Sequence, residues 1–573
     1  MKYLIKWLIP YWKRHKYRML LIVFLGITSA IFQAAIPFYI KKIINGFEKN
    51  LNLNYLIKNV IIMLFLGLFH FIVNLFAQRN RAYMNYRTEY EVREKAFSHL
   101  LSLDEYIFIK YNSGEILTRL IDDISEKISW FSCSGVFRFI QAIFTLITII
   151  SVMIYLNIKL TLISLIPMPF MVYFVVREGK ILNKKYEELQ KSISNVYDYL
   201  ETSFSGIKVL KANLKEKYFG EKFSELTLQQ MLKSIDSEKK QILVHYIFFF
   251  TGFLSVFLVY LFGGLLVIEG SLTVGDLVSF QIYTFMLIWP FSDVSQFFVS
   301  ANRAYVSVKR VDEILNFKPM IICAREAKKI SQINQIELLN LSFVVGDKKL
   351  LDNINLKITR GQKIAVVGKI GGSKSTLLKV IARILQYTLG KFYLNSIPVE
   401  NYDLKDYQRR ISYISQEAPI FSDTILNNIT MFSNYTEEEI KTAIKIAQLE
   451  KDIHSFQQGI NTIVGNKGTT LSGGQRQRIS LARALIRDPD LLIMDDSTNQ
   501  MDAETEHMFW TEFLNHFSHV TAIFVTHRTS TIEKSDMVIV MDKGRIIEKG
   551  HHSELISGDT LYKQIYKKYK MEE

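Results

Sequence analysis

Charge is distributed unevenly along this chain. Six stretches contain no Asp, Glu, Lys or Arg: 19–40, 59–78, 139–158, 160–176, 242–268 and 277–292. Each approaches or exceeds the length a helix needs to cross about 30 Å of hydrocarbon at 1.5 Å per residue. Helix is the form such a run must take in lipid, where backbone N–H and C=O groups find no other partner. Beyond Asp293 the last run continues uncharged to Asn302, so the sixth span is placed at about 277–300. Lys2, Lys6, Lys13, Arg14, Lys16 and Arg18 precede the first run, with no acid before Glu48. That basic flank predicts a cytoplasmic N-terminus, and the run behind it is too long for a cleavable signal.

The connections between the runs differ in kind. Only Lys159 separates the third from the fourth, which predicts a tight hairpin on the outer side. By contrast, 79–138 and 177–241 are charged connections of 60 and 65 residues, without proline and with acids and bases at helical spacing. Running down and back as helix, each would reach about 40 Å into the cytosol. Such arms could carry movement between a soluble motor and the membrane; a separate inserted domain is the alternative. After residue 318 the spans stop. Residues 319–335 read as a linker, and 336–573 as strand–loop–helix alternation of one α/β domain. The expected fold is therefore a helical membrane domain, 1–318, fused to an α/β domain.

Composition narrows the choice a little further. The formal net charge is +15, which suits an anionic membrane surface, and no basic block with interleaved aromatics marks a nucleic-acid module. Cys133 and Cys323 are too few and too far apart for a disulfide framework or a zinc site.

Chemistry concentrates in the C-terminal half. Ile364-Ala365-Val366-Val367 predicts a buried strand, followed by Gly368-Lys369-Ile370-Gly371-Gly372-Ser373-Lys374-Ser375-Thr376 and an apolar helix from Leu377. A glycine loop between strand and helix is the setting in which backbone N–H groups cradle phosphates. Lys374 supplies positive charge there and Ser375 a hydroxyl for Mg²⁺. Farther on, Leu471-Ser472-Gly473-Gly474-Gln475 opens a second helix. Leu491-Leu492-Ile493-Met494 reads as a strand ending in Asp495 and Asp496, and Phe524-Val525-Thr526 as another ending in His527. A carboxylate at a strand end beside a phosphate loop suits Mg²⁺, and the histidine could sense a γ-phosphate.

Taken together, these motifs resemble the ATP-binding cassette superfamily, and the chain from about 10 to 560 resembles a half-transporter of its type IV exporter class. Gly368 to Thr376 matches the Walker A loop, Tyr413-Ile414-Ser415-Gln416 the Q-loop, and Leu471 to Gln475 the signature motif in full. Asp495 matches the Walker B aspartate, Asp502 the D-loop and His527 the switch histidine. In the membrane half, Ser113-Gly114-Glu115-Ile116 with Asp122, Glu201 with Gly206 to Ala212, and Leu272 to Leu277 echo the family's patterns. The resemblance implies ATP and Mg²⁺, the latter held by Ser375, Gln416 and Asp495. It implies ATP-driven export or flipping by alternating access, a second half-transporter as partner, and a multi-pass cytoplasmic-membrane protein with its nucleotide domain inside. In that family ATP is clamped between the Walker A loop of one domain and the signature motif of the other.

Three positions depart from the pattern. Ser373 stands where glycine precedes the lysine, Asp496 where glutamate polarises the attacking water, and Val345 where an aromatic stacks on adenine. All three belong to the site where this chain holds its own ATP, while the signature motif that serves the opposite site is intact. The expectation is a subunit with a degenerate, low-turnover site paired with a different chain. A slowly hydrolysing homodimer is the alternative, supported by the retained Lys374, Gln416 and His527; an ATP-gated channel or sensor would share every motif. Polar residues inside the spans are candidates for the pathway: Gln33, His70, Asn74, Gln141, His245, Gln281, Asp293 and Gln296. Asp293 would favour a cationic cargo if it faced a cavity. Cargo identity stays open among lipid, drug and hydrophobic peptide.

Overall fold

The computed structural model describes residues 1–49, 52–321, 323–324, 326–369, 371–465 and 471–572. Ile370 of the phosphate loop and residues 322 and 325 of the expected linker lie outside them. The chain forms two compact units, one of residues 1–101 and 112–316, the other of residues 102–111 and 317–573.

In the first unit apolar helices continue into charged ones. After α1 (Lys2–Arg14), α2 (Lys16–Glu48) and α3 (Leu53–Leu101), two short helices follow, α4 (Tyr106–Lys110) and α5 (Ser113–Thr118). Wide π-type turns over Arg119–Ser129 and Phe131–Gly135 lead into α6 (Val136–Leu156). Then come α7 (Ile158–Leu165), α8 (Pro167–Ser205), α9 (Ile207–Ala212), α10 (Glu216–Ile268), α11 (Val274–Met286) and α12 (Ile288–Leu315). The 49 residues of α3 and the 53 of α10 carry an apolar span and a charged extension in one helix each, about 75–80 Å long. These are the helical arms, not an inserted domain.

Among the described residues, five helical stretches are long and apolar enough to cross a membrane: Lys16–Glu48, Leu53–Leu101, Ser113–Leu156, Glu216–Ile268 and Val274–Leu315. A shorter apolar stretch, Ile158–Met171, occupies the run where a fourth span is expected. Its helix is interrupted at Ile166, immediately before Pro167, which has no N–H to continue the ladder. Pro290 acts likewise in the last span. Its ring conflicts with the carbonyl four residues back, at Met286, and the helix breaks at Leu287 between α11 and α12. Close packing across the bundle depends on small residues: a Cβ at Gly252 of α10 would stand 2.2 Å from Ile288 of α12. The start of α11 is fixed by a capping box between Thr273 and Asp276 and by the Asp276–Lys41 ion pair at 2.6 Å.

The second unit contains two sheets. One runs β2 (Lys348–Thr359), β1 (Gln335–Val345), β4 (Leu389–Leu394), β5 (Ile397–Pro398), all antiparallel. The other runs β10 (Arg545–Gly550), β9 (Met537–Asp542), β3 (Lys363–Gly368), β8 (Thr521–Val525), β7 (Leu491–Asp495), β6 (Ile411–Ile414). Apart from the β10–β9 pair, this second sheet is parallel. Every residue of β3, β7 and β8 is buried, the continuous apolar pattern of strands covered on both faces. Because these strands are parallel neighbours, the loops leaving their carboxyl ends share one edge of the sheet, where open α/β folds bind ligands.

Residues 102–111 join this unit through specific contacts. Glu105 pairs with Lys379 at 2.7 Å, Asp104 accepts the backbone N–H of Met320 and Ile321, and Tyr106 stacks on Phe317. Lys379 lies on α13 (Lys374–Ile381), the helix that follows the phosphate loop.

Candidate active site

The loop between β3 and α13 is shaped by residues that accept unusual torsions. Gly368 has φ +151°, and a Cβ there would lie 2.1 Å from the Met541 carbonyl oxygen, so no side chain fits. Gly371 has φ +80°. Ser373 is left-handed too, at φ 64° and ψ 27°, as the N-cap of α13. The sequence departs from glycine at a position whose backbone still takes the glycine conformation, at a cost of roughly 1–2 kcal/mol.

Lys374 folds over this loop, its Nζ donating to the carbonyls of Gly368 at 2.8 Å and Lys369 at 3.1 Å. Burial lowers its pKa, against the pull of Asp496 and Asp495. Ser375 Oγ donates to Asp495 Oδ1 at 2.9 Å, and Tyr413 OH to Asp495 Oδ2 at 3.3 Å. Asp495 is buried; burial raises its pKa, offset by those two hydrogen bonds and by Lys379 and Lys374. Thr376 is half-buried in the first turn of α13. A hydroxyl beside a carboxylate at the mouth of a phosphate loop is an oxygen donor set that fits Mg²⁺. Among the described residues no cluster of three metal-ligating His, Cys, Asp or Glu occurs.

Asp496 sits in the left-handed region at φ +51°, which aspartate tolerates better than most residues. Its Oδ2 accepts from Asn499 Nδ2 at 3.0 Å, and Asn499 Oδ1 accepts from Gln477 Nε2 at 2.7 Å. Burial raises the Asp496 pKa, while the His527 charge and the Asn499 hydrogen bond lower it. His527 is exposed, its ring edge-on to Tyr569. Sheet topology thus brings Lys374, Ser375, Asp495, Asp496 and His527 to one edge.

Two family models match the chain: "ABC transporter transmembrane region" over residues 19–291 and "ABC transporter" over residues 351–499. The multidrug resistance-like ATP-binding protein MdlA of Buchnera aphidicola subsp. Baizongia pistaciae is 30% identical over 546 residues, 93% of each chain. The chain is an ABC transporter. Other relatives of this transporter include the ATP-dependent lipid A-core flippase of Desulfotalea psychrophila, 30% identical over 83% of each chain. The probable multidrug resistance ABC transporter ATP-binding/permease protein YheI of Bacillus subtilis is 30% identical over 84% of this chain and 83% of its own. The fold matches that of a bacterial Atm1-family ABC exporter solved with ATP bound, at TM-score 0.83 and 21% identity, over 97% of this chain and 99% of that one. The transporter is therefore a multi-pass membrane protein with a cytoplasmic nucleotide-binding domain, an ATPase coupled to export or flipping across the membrane.

Elsewhere in the transporter the predicted residues divide into groups. Ser472 caps the helix Gly473–Leu485, in a capping box with Gln475. At Gly473 a Cβ would meet Gln500 Oε1 at 2.3 Å, and at Gly474 the Gln500 carbonyl oxygen at 3.0 Å, so neither position admits a side chain without displacement. Asp502 caps the helix Ala503–His516, accepting from Thr505 N at 2.8 Å and Thr505 Oγ1 at 2.7 Å; these bonds lower its pKa. Gln416 is exposed, two residues beyond β6, and the residue of that segment that reaches Asp495 is Tyr413. Val345 is half-buried at the end of β1 against the apolar cluster that includes Leu377 and Leu378.

In the membrane unit, His70 Nδ1 lies 3.0 Å from the Ser29 carbonyl oxygen, and Gln141 accepts from Arg81 at 2.7 Å, both ties between helices. His245 and Gln296 are exposed, while Gln33, Asn74, Gln281 and Asp293 are half-buried. The charges acting on Asp293 are those of Arg138 and Arg81. An apolar recess lies between α2, α6 and α11, lined by Ala34, Phe38, Val152, Tyr155 and Tyr283.

Proposed function

We propose that this chain is one half of a dimeric exporter or flippase for a hydrophobic or amphipathic substrate, and that its own nucleotide site turns over slowly. Its division is six spans within 1–318, a linker 319–335 and the nucleotide domain 336–573. The loop Gly368 to Thr376 with Lys374 holds the phosphates of ATP. Ser375, Asp495 and Gln416 hold Mg²⁺, Asp496 orients the attacking water, and His527 reads the γ-phosphate. Closure then drives alternating access because ATP binds the closed dimer more tightly than the open one.

The observation that carries the dimer is where the motifs pack. The signature helix Gly473–Leu485 rests on Ile425–Thr430, Glu437–Ile446 and β6, whereas α13 rests on β2, β3, β7 and β8. This separate packing supports the reading that Ser472, Gly473, Gly474 and Gln475 serve a nucleotide other than the one held at α13, with Asp502 as the D-loop residue. Slow turnover is supported by Asp496, one methylene short and tethered by Asn499. The relatives named for multidrug resistance and for lipid A-core flipping support an amphipathic substrate. Membrane lipid surrounds the spans.

Two compositions of the dimer follow from different observations. The homodimer is supported by the near-complete own site: Lys374 over the loop, Ser375 on Asp495, and His527 in the field of Asp496. The heteromer with a second half-transporter is supported by the coincidence of Ser373, Asp496 and Val345 on one site. ATPase assay of the purified chain against Asp496→Glu, with substrate flux in proteoliposomes, separates them. Steady turnover and vectorial flux by the unmodified chain alone would exclude an obligate heteromer. A chain that binds ATP but neither hydrolyses it nor moves substrate until a second cassette protein is added would exclude the homodimer.

A further inference from the structure

Tyr569 lies on the helix Leu561–Glu572 and is 7% exposed. Its ring stands edge-on to the switch histidine, with ring centroids of Tyr569 and His527 4.8 Å apart and planes at 81°. Its hydroxyl is directed at the Gly368 carbonyl oxygen, 3.4 Å away, the same oxygen that accepts from Lys374 Nζ at 2.8 Å. One side chain near the end of the chain therefore touches the first residue of the phosphate loop and the group proposed to read the γ-phosphate.

The helix that presents it is firmly held. The backbone N–H groups of Leu561 and Tyr562 donate to Glu548 at 2.7 and 2.9 Å, Tyr566 OH donates to Glu533, and Tyr562 OH pairs with His552 Nδ1 at 2.5 Å. Simple core filling would ask only for an apolar side chain at 569. A tyrosine with its ring edge against an exposed imidazole and its hydroxyl toward a loop carbonyl does more than fill space.

We propose that Tyr569 is a positioning residue for the ATPase site. Its ring restricts the rotamers of His527, which on an exposed loop would otherwise sample several. Its hydroxyl gives Gly368 a second donor, so that Lys374 can leave that carbonyl for phosphate without stripping it of partners. The C-terminal helix in this way sets how well the site distinguishes ATP from ADP.

The inference rests on the reading of His527 as the γ-phosphate sensor, and the test separates the two. In the full-length chain in nanodiscs, the affinities for Mg-ATP and Mg-ADP are measured by displacement of a fluorescent nucleotide, a readout that needs no turnover, alongside kcat and KM. Tyr569→Leu is expected to lower the ATP-over-ADP preference about three- to tenfold, with a parallel fall in kcat, the range of one lost ring contact. Tyr569→Phe should restore most of the preference. In a His527→Ala background Tyr569→Leu should lose most of its effect, leaving only the small part carried by the hydroxyl on Gly368. If Tyr569→Leu unfolds the domain, Tyr569→Met, whose flexible unbranched side chain adapts to the gap, carries the same expectation. A silent Tyr569→Leu beside an effective His527→Ala overturns this inference alone, as does a Tyr569→Leu loss that persists undiminished without His527. A silent His527→Ala overturns the sensor reading and this inference with it.

Discussion

Ser373 occupies a glycine torsion without being glycine, at the one turn that aims backbone N–H groups at phosphate. Ser373→Gly is expected to relieve about 1 kcal/mol, seen as ATP affinity tighter by about fivefold and no change in the ATP-over-ADP ratio. Gly368→Ala should behave oppositely. With φ +151° and a Cβ 2.1 Å from a backbone oxygen, it should abolish nucleotide binding or lower the melting temperature sharply. At the strand end of β7, Asp496→Glu extends the carboxylate by about 1.5 Å, and misplacement on that scale is worth about a hundredfold in rate. A rise in kcat of tenfold or more at similar KM is therefore expected; an unchanged kcat would show that the methylene is not what limits turnover. The phosphate loop and both aspartates were legible in the sequence because strand, turn and helix there are local. The roles of Gln477, Tyr413 and Tyr569 were not, since each reaches its partner through the packing of strands and helices distant in sequence.

Among elements, the apolar runs located the membrane helices because lipid permits no other backbone arrangement, and the charged connections announced the arms by their helical spacing and lack of proline. The breaks at Ile166 and Leu287 follow from Pro167 and Pro290, yet whether a proline merely bends a helix or interrupts it depends on its neighbours, which the sequence does not display. The assignment of residues 102–111 to the nucleotide unit was also hidden, because it rests on Glu105 finding Lys379 some 270 positions away. The second arm ends differently. Around α9 it exposes Phe204 (67%), Val209 (67%) and Leu214 (83%), an apolar tip that a soluble surface would not leave bare. Val209→Asp combined with Leu214→Asp should leave ATP affinity intact while lowering substrate flux per ATP hydrolysed several-fold. Unaltered coupling in proteoliposomes would mean that the tip docks on nothing that matters for transport.

For the whole molecule the decisive question is which polypeptide completes each nucleotide site, and composite sites make it testable by complementation. Suppose two copies of this chain form the transporter. Lys374→Ala then disables both sites, since each copy contributes a phosphate loop, and Ser472→Arg also disables both by obstructing each signature motif. Co-expressed and co-purified through different tags, the two variants place both defects in one composite site and leave the other with an intact phosphate loop and an intact signature. ATPase activity should return, limited to one working site per dimer. If the partner is a different chain, mixing the two variants restores nothing. Adding that partner rescues the Lys374→Ala chain more fully than the Ser472→Arg chain, because the signature motif is what this chain lends to the partner's site. The asymmetry rests on the proposed reading that each site joins one chain's phosphate loop to the other's signature motif. It holds whether Asp496 turns out to be a slow catalyst or a nearly silent one.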